Sequence, residues 1–234
     1  MITVVYDNYP LDNRLETAWG FACVIEGLDT TILFDTGGDG DVLLSNMAEC
    51  GIQPQQIGAV VLSHIDWDHT GGLLAFLRAR GGVEVYMPKA FPPAFRQQAR
   101  DSGAVVVETD GAHKICDGAW TTGVLGRGIK EQGLYLEGPQ GLIVITGCAH
   151  PGIVQIAQAA KEHAGAPLDA VLGGFHMGNA SRHDIEATIA RLRELGVRRA
   201  GPCHCSGEDT RRLMQQAFSD GYLAVGVGAR LDIV

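Results

Sequence analysis

The sequence contains no apolar run that approaches the roughly 20 residues of a membrane-spanning helix. Its first residues lack the basic segment and apolar stretch of a secretory signal, so we expect no secretion. The six cysteines lack the spacing of a disulfide framework, which indicates reduced thiols in a cytoplasmic protein. Neither a G-x-S-x-G motif nor a phosphate-binding loop motif is present. These absences argue against a membrane protein, a secreted disulfide-rich protein and a serine hydrolase.

Positive charge is also scarce. The chain carries 18 Lys and Arg residues against 27 Asp and Glu residues, which gives a formal net charge of −9. This balance disfavours nucleic acid or an anionic membrane as the main partner. We therefore expect a small-molecule substrate, and the sequence leaves the oligomeric state open. Two bound divalent ions would cancel part of the negative charge.

Length and composition favour one folded domain over residues 1–234. Hydrophobic residues make up 46% of the chain and charged residues 19%, which is ordinary for a globular protein with a sizeable core. Apolar runs with strand character alternate with segments of helical spacing. The pattern predicts an α/β protein.

The residues from Ser63 to Gly72 form the most informative stretch of the chain. The apolar, β-branched run 58–62 before it predicts a buried strand, and residues 73–80 after it have helical spacing. The stretch is therefore predicted to be a strand-to-helix turn. Its candidate metal ligands are His64, Asp66, Asp68 and His69.

Alternation along an extended chain separates these four side chains into two pairs. Residues two apart point the same way, so His64 and Asp66 are expected to share one ion. Asp68 and His69 are adjacent and are expected to diverge toward a second ion. Mixed carboxylate and imidazole ligands suit zinc, iron or manganese, and two such ions are a recurrent hydrolytic device. The following Thr70-Gly71-Gly72 is expected to turn the chain tightly and leave room for a substrate.

Three later histidines stand in the same context, each at the end of a predicted strand and before a predicted helix. They are His150, His176 and His204. Turns of this kind meet at one edge of a sheet, where α/β proteins bind ligands, so these side chains are candidates for the same site. The other histidines, at 113, 163 and 183, lack this context and are interpreted as ordinary side chains.

The run His64-Ile65-Asp66-Trp67-Asp68-His69 resembles the His-x-His-x-Asp-His signature of the metallo-β-lactamase superfamily, with Asp66 in place of the second histidine. The resemblance extends over nearly the whole chain and implies an αββα sandwich of mixed α/β class. The ligands it implies are His64, Asp66 and His150 for a first ion and Asp68, His69 and His204 for a second. We call the strand-to-helix turn 63–72 the metal turn. Asp35, within an Asp-Thr-Gly run, is then expected to support this turn without binding an ion.

Two departures from the superfamily pattern carry expectations of their own. An acidic residue at the position of Asp66 also occurs in the iron-binding flavodiiron branch, and its hard oxygen shifts the metal preference toward iron or manganese. A bridging carboxylate is usual where this chain has Gly173-Gly174-Phe175-His176. We expect His176 to enter the site as a ligand or as a substrate-contacting group, with the second ion held more weakly than the first.

The runs 146–152, 173–176 and 203–207 together resemble one branch of the superfamily in particular. That branch consists of proteins similar to the 7,8-dihydropterin-6-methyl-4-(β-D-ribofuranosyl)aminobenzene 5'-phosphate synthases. The name of these enzymes denotes a step that forms a C–N bond. Cys148, Cys203 and Cys205 flank expected ligands. Cys203 and Cys205, two residues apart, can project the same way as each other and away from His204, so we interpret them as buried packing thiols.

The prediction from the sequence is a metal-dependent hydrolase with one or two divalent ions, zinc, iron or manganese, and a metal-bound hydroxide as nucleophile. Asp68 is expected both to bind metal and to orient the nucleophile, and His176 to take part in catalysis. Three alternatives stay open. They are a transferase joining a dihydropterin to a phosphorylated ribosyl-aminobenzene, a di-iron redox protein with an external electron donor, and a non-catalytic metal-binding sensor.

Overall fold

A computed structural model describes residues 1–233 of the chain, which form two β-sheets packed face to face with helices on both outer surfaces. The strands are β1 (Ile2–Tyr6), β2 (Ala22–Ile25), β3 (Ile32–Phe34), β4 (Ala59–Val61), β5 (Glu84–Pro88), β6 (Val105–Thr109), β7 (Lys114–Cys116), β8 (Ala119–Leu125), β9 (Glu131–Gly138), β10 (Gly141–Thr146), β11 (Leu168–Gly174), β12 (Arg199–Cys203) and β13 (Arg230–Leu231). The α-helices are α1 (Gly40–Glu49), α2 (Trp67–Thr70), α3 (Leu73–Arg80), α4 (Pro93–Asp101), α5 (Ile153–Ala164), α6 (Arg182–Glu194) and α7 (Glu208–Phe218).

Each sheet contains a block of parallel strands. The first sheet has the order β13-β1-β2-β3-β4-β5-β6, and its strands from β3 to β6 run parallel. The second sheet has the order β12-β11-β10-β9-β8-β7, and its strands from β10 to β12 run parallel. The carboxyl ends of parallel neighbours lie at one edge of a sheet, and this edge is where the ligand-type side chains are found.

Alternation along the strands divides the buried side chains among three apolar layers. In β2, Cys23 and Ile25 contribute to the layer between the sheets, whereas Ala22 and Val24 contribute to the layer beneath α1 and α3. In β10 the residues 143 and 145 belong to the central layer, and 142 and 144 belong to the layer beneath the helices of the second sheet. Because helices cover both outer faces, these strands are apolar throughout. The αββα sandwich predicted from the sequence is confirmed.

Two segments differ from their sequence interpretation. The sequence of residues 123–133 has little regular pattern and predicts a loop over the pocket, but β8 and β9 extend into this region and leave only 126–130 as a hairpin tip. The apolar sequence of residues 222–227 predicts a strand, but this segment makes only single bridges, Ala200 to Tyr222 and Pro10 to Val227. It passes from one sheet to the other, so it has no neighbouring strand to pair with along its length. Within residues 1–233, no helix is long and apolar enough to cross a membrane.

Asn46 of α1 fixes the loop between β1 and β2, which carries residues of the candidate site. The side chain is almost fully buried. Its amide nitrogen donates to the carbonyl oxygens of Val5 (3.0 Å) and Glu16 (2.8 Å), and its oxygen accepts from the backbone nitrogen of Glu16 at 2.9 Å. One side chain thus joins the helix, the first strand and the loop.

We predict that Asn46→Ala lowers the free energy of unfolding by about 2 kcal/mol, because it leaves buried backbone groups without partners. Urea denaturation followed by circular dichroism measures the change. Asn13→Ala, at an exposed position of the same loop, is the control. Equal stabilities of the two variants would show that Asn46 does not hold the loop.

Candidate metal centre

The candidate site lies where strands of both sheets end. The metal turn follows β4, and the segments with His150, His176 and His204 follow β10, β11 and β12. Several residues at these strand ends have a left-handed backbone that non-glycine residues rarely adopt. They are Asp35 (φ 56°), Ala149 (φ 60°), His176 (φ 51°) and His204 (φ 49°). Such strain is concentrated at functional sites, where the surrounding structure enforces it.

His64, Asp66 and His150 form a first group. The Nε2 atom of His64 lies 3.5 Å from Asp66 Oδ2, and Nε2 of His150 lies 3.7 Å from the same oxygen. The two imidazole rings are 4.7 Å apart between centroids. The three side chains therefore face one space of a size that suits a single ion.

Asp68, His69 and His204 form a second group beside the first. Asp68 Oδ2 lies 3.3 Å from His204 Nε2 and 3.7 Å from His69 Nε2. The rings of His64 and His69 are 4.2 Å apart between centroids, so the two groups share a wall. Asp68 and His69 both belong to this second group, but they lie in the short helix α2, so the alternation of an extended chain does not account for their directions.

Asp35 holds the metal turn in place. Its carboxylate accepts from the backbone nitrogen of Ser63 (2.7 Å), from Ser63 Oγ (2.7 Å) and from His69 Nδ1 (2.8 Å). Because Ser63 Oγ donates to Asp35, it accepts from Nδ1 of His64 at 2.8 Å. Both histidines of the turn are thereby held with a proton on Nδ1 and a lone pair on Nε2. Asp35 thus orients two ligand-type residues of the turn.

Glu131, at the start of β9, plays the same part for the loop after β10. Its buried carboxylate accepts from the backbone nitrogens of Cys148 (3.0 Å), Ala149 (2.7 Å) and His150 (2.7 Å). It also accepts from Nδ1 of the His150 ring at 2.9 Å. Although burial opposes ionisation, the hydrogen bonds with His150 lower the pKa of Glu131 to about 2. A single carboxylate thus fixes both the backbone and the ring of His150.

Asn8, just after β1, orients His204. Its Oδ1 lies 3.0 Å from Nδ1 of His204, and its Nδ2 donates to the His204 carbonyl at 3.4 Å. The indole of Trp19 lies against the same imidazole, with 4.8 Å between ring centroids. His204 is therefore held by the first sheet, although it belongs to the second.

The donor set fits a transition metal. The Nε2 atoms of His64 and His204 are buried and have no hydrogen-bond partner among the described residues. Such groups are costly to bury unless something binds them. Burial, with a smaller contribution from nearby His204, lowers the pKa of His69 to about 4, so this imidazole is neutral at neutral pH. Burial opposes ionisation of Asp68, but His204 and His69 lower its pKa to about 2. Neutral imidazoles and ionised carboxylates are the forms that bind metal.

His176 stands apart from both groups. Its side chain is exposed at the rim, with its ring 4.5 Å from that of His150 between centroids. The ligand-type atoms that it approaches are the sulfurs of Cys148 and Cys205, all within 4.8 Å of one another. Its position is compatible with contact to a substrate above the first group.

The glycines of the metal turn have a different role from the one expected. A Cβ on Gly71 would lie 2.2 Å from the Gly38 carbonyl oxygen, and one on Gly72 would lie 2.2 Å from the Thr36 carbonyl oxygen. These glycines therefore allow two backbone segments to pack closely. Room for a substrate lies elsewhere.

Two cavities meet at His176 and open the site to solvent. One of about 560 Å³ is lined in part by Trp19, Asn179 and Cys205. The other, of about 680 Å³, is lined in part by Arg127, Ile129 and His150. His176 lines both of them.

The sequence interpretation missed residues that the structure places at the centre of the site. Glu131 lies in a segment whose sequence has little regular pattern, nothing in the sequence marks Asn8, and Cys148 is recognisable only as a residue that flanks an expected ligand. Cys148 is buried, and its Sγ lies 3.2 Å from His69 Nε2. No sequence signal marks Glu131, because its burial and its contact with His150 exist only in the folded chain.

A four-layer αββα sandwich with two facing groups of histidine and aspartate side chains at its edge defines a class of metal-binding proteins. The chain belongs to the metallo-β-lactamase superfamily, whose family model matches residues 20–156, more than half of the sequence. The matched region contains the metal turn and His150, and it ends before His176 and His204. The resemblance seen in the motifs is confirmed.

Relatives extend the similarity over most of the chain. The 7,8-dihydropterin-6-methyl-4-(β-D-ribofuranosyl)-aminobenzene-5'-phosphate synthase of Methanocaldococcus jannaschii is 26% identical over 247 residues, covering 86% of this chain and 84% of that protein. The structure of Tm1679, a metal-dependent hydrolase of the β-lactamase superfamily, is similar with a TM-score of 0.83 and 27% sequence identity. The similarity covers 99% of this chain and 98% of the Tm1679 chain. The metallo-β-lactamase fold protein YhfI of Bacillus subtilis shares the fold, with a TM-score of 0.68. It is 14% identical, and the similarity covers 98% of this chain and 97% of the YhfI chain.

We predict that Glu131→Gln weakens binding of the first metal ion by about 10- to 100-fold, because an amide NH2 cannot accept the hydrogen bonds that position His150. Titration of the metal-free protein against a chromophoric chelator measures the affinity. Glu137→Gln, at an exposed position of the same strand, is the control. Equal affinity in both variants would contradict the role of Glu131.

Proposed function

We propose that this chain is a metal-dependent hydrolase that acts on a small-molecule substrate. The observation that carries the proposal is the pair of facing groups of ligand-type side chains. Each group contains one buried histidine Nε2 atom without a hydrogen-bond partner, that of His64 in the first and that of His204 in the second. Divalent ions bound by these groups would lower the pKa of a coordinated water toward about 7 and polarise the bond to be cleaved. The proposed ligands are His64, Asp66 and His150 for one ion and Asp68, His69 and His204 for the other.

The ligand set favours a metal of intermediate hardness. Asp66 supplies an oxygen in a group that otherwise offers imidazole nitrogens, so iron and manganese should compete with zinc better than in an all-histidine group. The contact with His64 lowers the pKa of Asp66, so this oxygen is anionic at neutral pH. Asp68, ionised and nearly buried, is placed to hold an ion and to accept a hydrogen bond from the attacking water. His176, at the rim, is placed to donate a proton to a leaving group.

Similarity to Tm1679 supports hydrolysis. That structure is described as a metal-dependent hydrolase, and the similarity spans nearly the full length of both chains at 27% identity. The chain also contains no G-x-S-x-G motif that would supply a serine nucleophile instead. A reaction that draws its nucleophile from bound water is therefore the best account of the site.

We predict that the protein, reconstituted separately with zinc, manganese and ferrous iron, hydrolyses at least one member of a panel of phosphodiesters, lactones and thioesters. His64→Ala and His204→Ala should each lower kcat/KM by about 100-fold or more, because each removes a proposed ligand. His163→Gln is the control, since His163 contacts Tyr135 on the far side of the second sheet. Loss of activity in all three variants, or metal-independent hydrolysis, would contradict the proposal.

A second candidate is a transferase that forms a C–N bond. It is favoured by the similarity to the archaeal synthase over 86% of this chain, and by two cavities that meet at His176 and offer separate spaces for two substrates. In such a reaction the arylamine nitrogen attacks the methylene carbon of a dihydropterin pyrophosphate, pyrophosphate leaves with the electrons of the C–O bond, and the nitrogen loses a proton. Adding both substrates to the panel and measuring pyrophosphate release distinguishes the two functions. Release that requires the arylamine favours the transferase.

His176 is predicted to act on the substrate and not on the metal. His176→Ala should lower kcat by about 100-fold, because a proton donor is lost, while the bound metal remains unchanged. Turnover and metal content are measured on the same preparation. His183→Ala, at an exposed position of α6, is the control. If His176→Ala lost one equivalent of metal, His176 would be a ligand instead.

A further inference from the structure

Cys148 occupies the position where the two groups of the metal centre meet. Its Sγ lies within 4.8 Å of ligand atoms of Asp68, His69 and His204, and equally within 4.8 Å of ligand atoms of His64 and His150. Its approach to His69 Nε2, at 3.2 Å, is as close as that of any carboxylate oxygen to a histidine Nε2 in either group. The thiol therefore reaches both groups.

The surroundings of Cys148 hold its sulfur in this position. The residue is 5% exposed, and its backbone nitrogen donates to Glu131. The neighbouring Gly147 lies directly against the metal turn, since a Cβ on it would come within 2.1 Å of Ser63 Oγ. The segment with Cys148 cannot move outward without breaking the Glu131 hydrogen bonds or inward without a clash.

Charge balance gives the thiol a role. Two divalent ions bring four positive charges, and the proposed carboxylate ligands Asp66 and Asp68 bring only two negative ones. A carboxylate at the end of β11 would be a further source of negative charge between the groups. The chain has none there, because Gly173 and Gly174 end the strand and the exposed His176 follows two residues later. A thiolate at Cys148 would supply a third negative charge within reach of both ions, and a thiol that coordinates a metal is deprotonated.

We infer that Cys148 binds both metal ions through its sulfur and joins the two groups in place of a bridging carboxylate. The inference rests on the proposed metal centre. Its S–H proton passes to solvent when the metal–sulfur bonds form, so the step requires no oxidant or reductant. The second ion is then held by an anionic sulfur as well as by Asp68, His69 and His204, which reverses the expectation that this ion is weakly held.

The other cysteines near the site do not compete for this role. Cys203 belongs to the apolar layer between the sheets. Cys205 shares a group only with Cys148 and His176, on the outer side of the centre. Cys148 alone among these three thiols is close to both proposed ion positions.

Cobalt(II) is the probe, because a cobalt–thiolate bond gives an intense charge-transfer absorption in the near ultraviolet. Metal-free protein is titrated with cobalt chloride, and absorbance and affinity are recorded for each equivalent. The parent protein, Cys205→Ser and the remote control Cys50→Ser should all show the band. Cys148→Ser should lack it and bind the second equivalent at least 10-fold more weakly, whereas Cys148→Asp should recover that affinity without the band.

A band that persists in Cys148→Ser, or that disappears in Cys205→Ser instead, would overturn the inference. Two tightly bound cobalt ions without any band in the parent would overturn it as well and leave the metal centre intact. Failure of the parent to bind cobalt, zinc, manganese or iron would refute the proposed function itself. If Cys148→Ser does not fold, X-ray absorption of the parent with two zinc ions decides, since each zinc should show sulfur at about 2.3 Å.

Discussion

Hydrogen-bond acceptors that face the Nδ1 atoms of four histidines determine the geometry of this site. Ser63, Asp35, Glu131 and Asn8 each receive one ring proton and turn the opposite nitrogen, Nε2, toward a common space. Asp35 and Glu131 are both fully removed from solvent, and a carboxylate in such a position is costly unless several donors surround it. The donors are the backbone and rings of the loops that carry the candidate ligands. Loop conformation and carboxylate burial therefore stabilise one another, and these hydrogen bonds turn the Nε2 atoms toward one another.

The arrangement has a cost in the backbone. Asp35, Ala149, His176 and His204 all adopt left-handed conformations at the ends of strands. Each such residue costs about 1–3 kcal/mol and persists only where neighbouring structure imposes it. Here the neighbouring structure consists of parallel strands apolar on both faces, which are among the most rigid parts of a domain. A strained loop on a rigid strand end can present a side chain within a few tenths of an ångström of a required position.

Local patterns predicted much of the fold, and tertiary contacts account for what they missed. Strands such as Leu142–Ile145 are recognisable from continuous apolar sequence, because both of their faces are buried. The segment 222–227 is also apolar, but because it links the two sheets, the same pattern wrongly predicts a strand there. The candidate histidines could be found from their recurrence at strand ends. Glu131 could not, because its relation to His150 arises only when β9 pairs with β10. Cys148 was likewise interpreted from its own neighbours in sequence, whereas its position depends on how closely Gly147 packs on Ser63.

The candidate ligands are divided between the two sheets. The metal turn belongs to the first sheet, whereas His150 and His204 extend from strands of the second. The two sheets are held together by the central apolar layer and by hydrogen bonds such as that between Asn8 and His204. An ion bound by both sets would act as a further cross-link between these halves of the chain. A ligand that binds only the folded state at 100 times its dissociation constant adds about 2.7 kcal/mol to the free energy of unfolding. The lifetime of the folded chain against proteolysis would then follow the supply of metal, so the ion that serves the chemistry would also determine how long the protein survives.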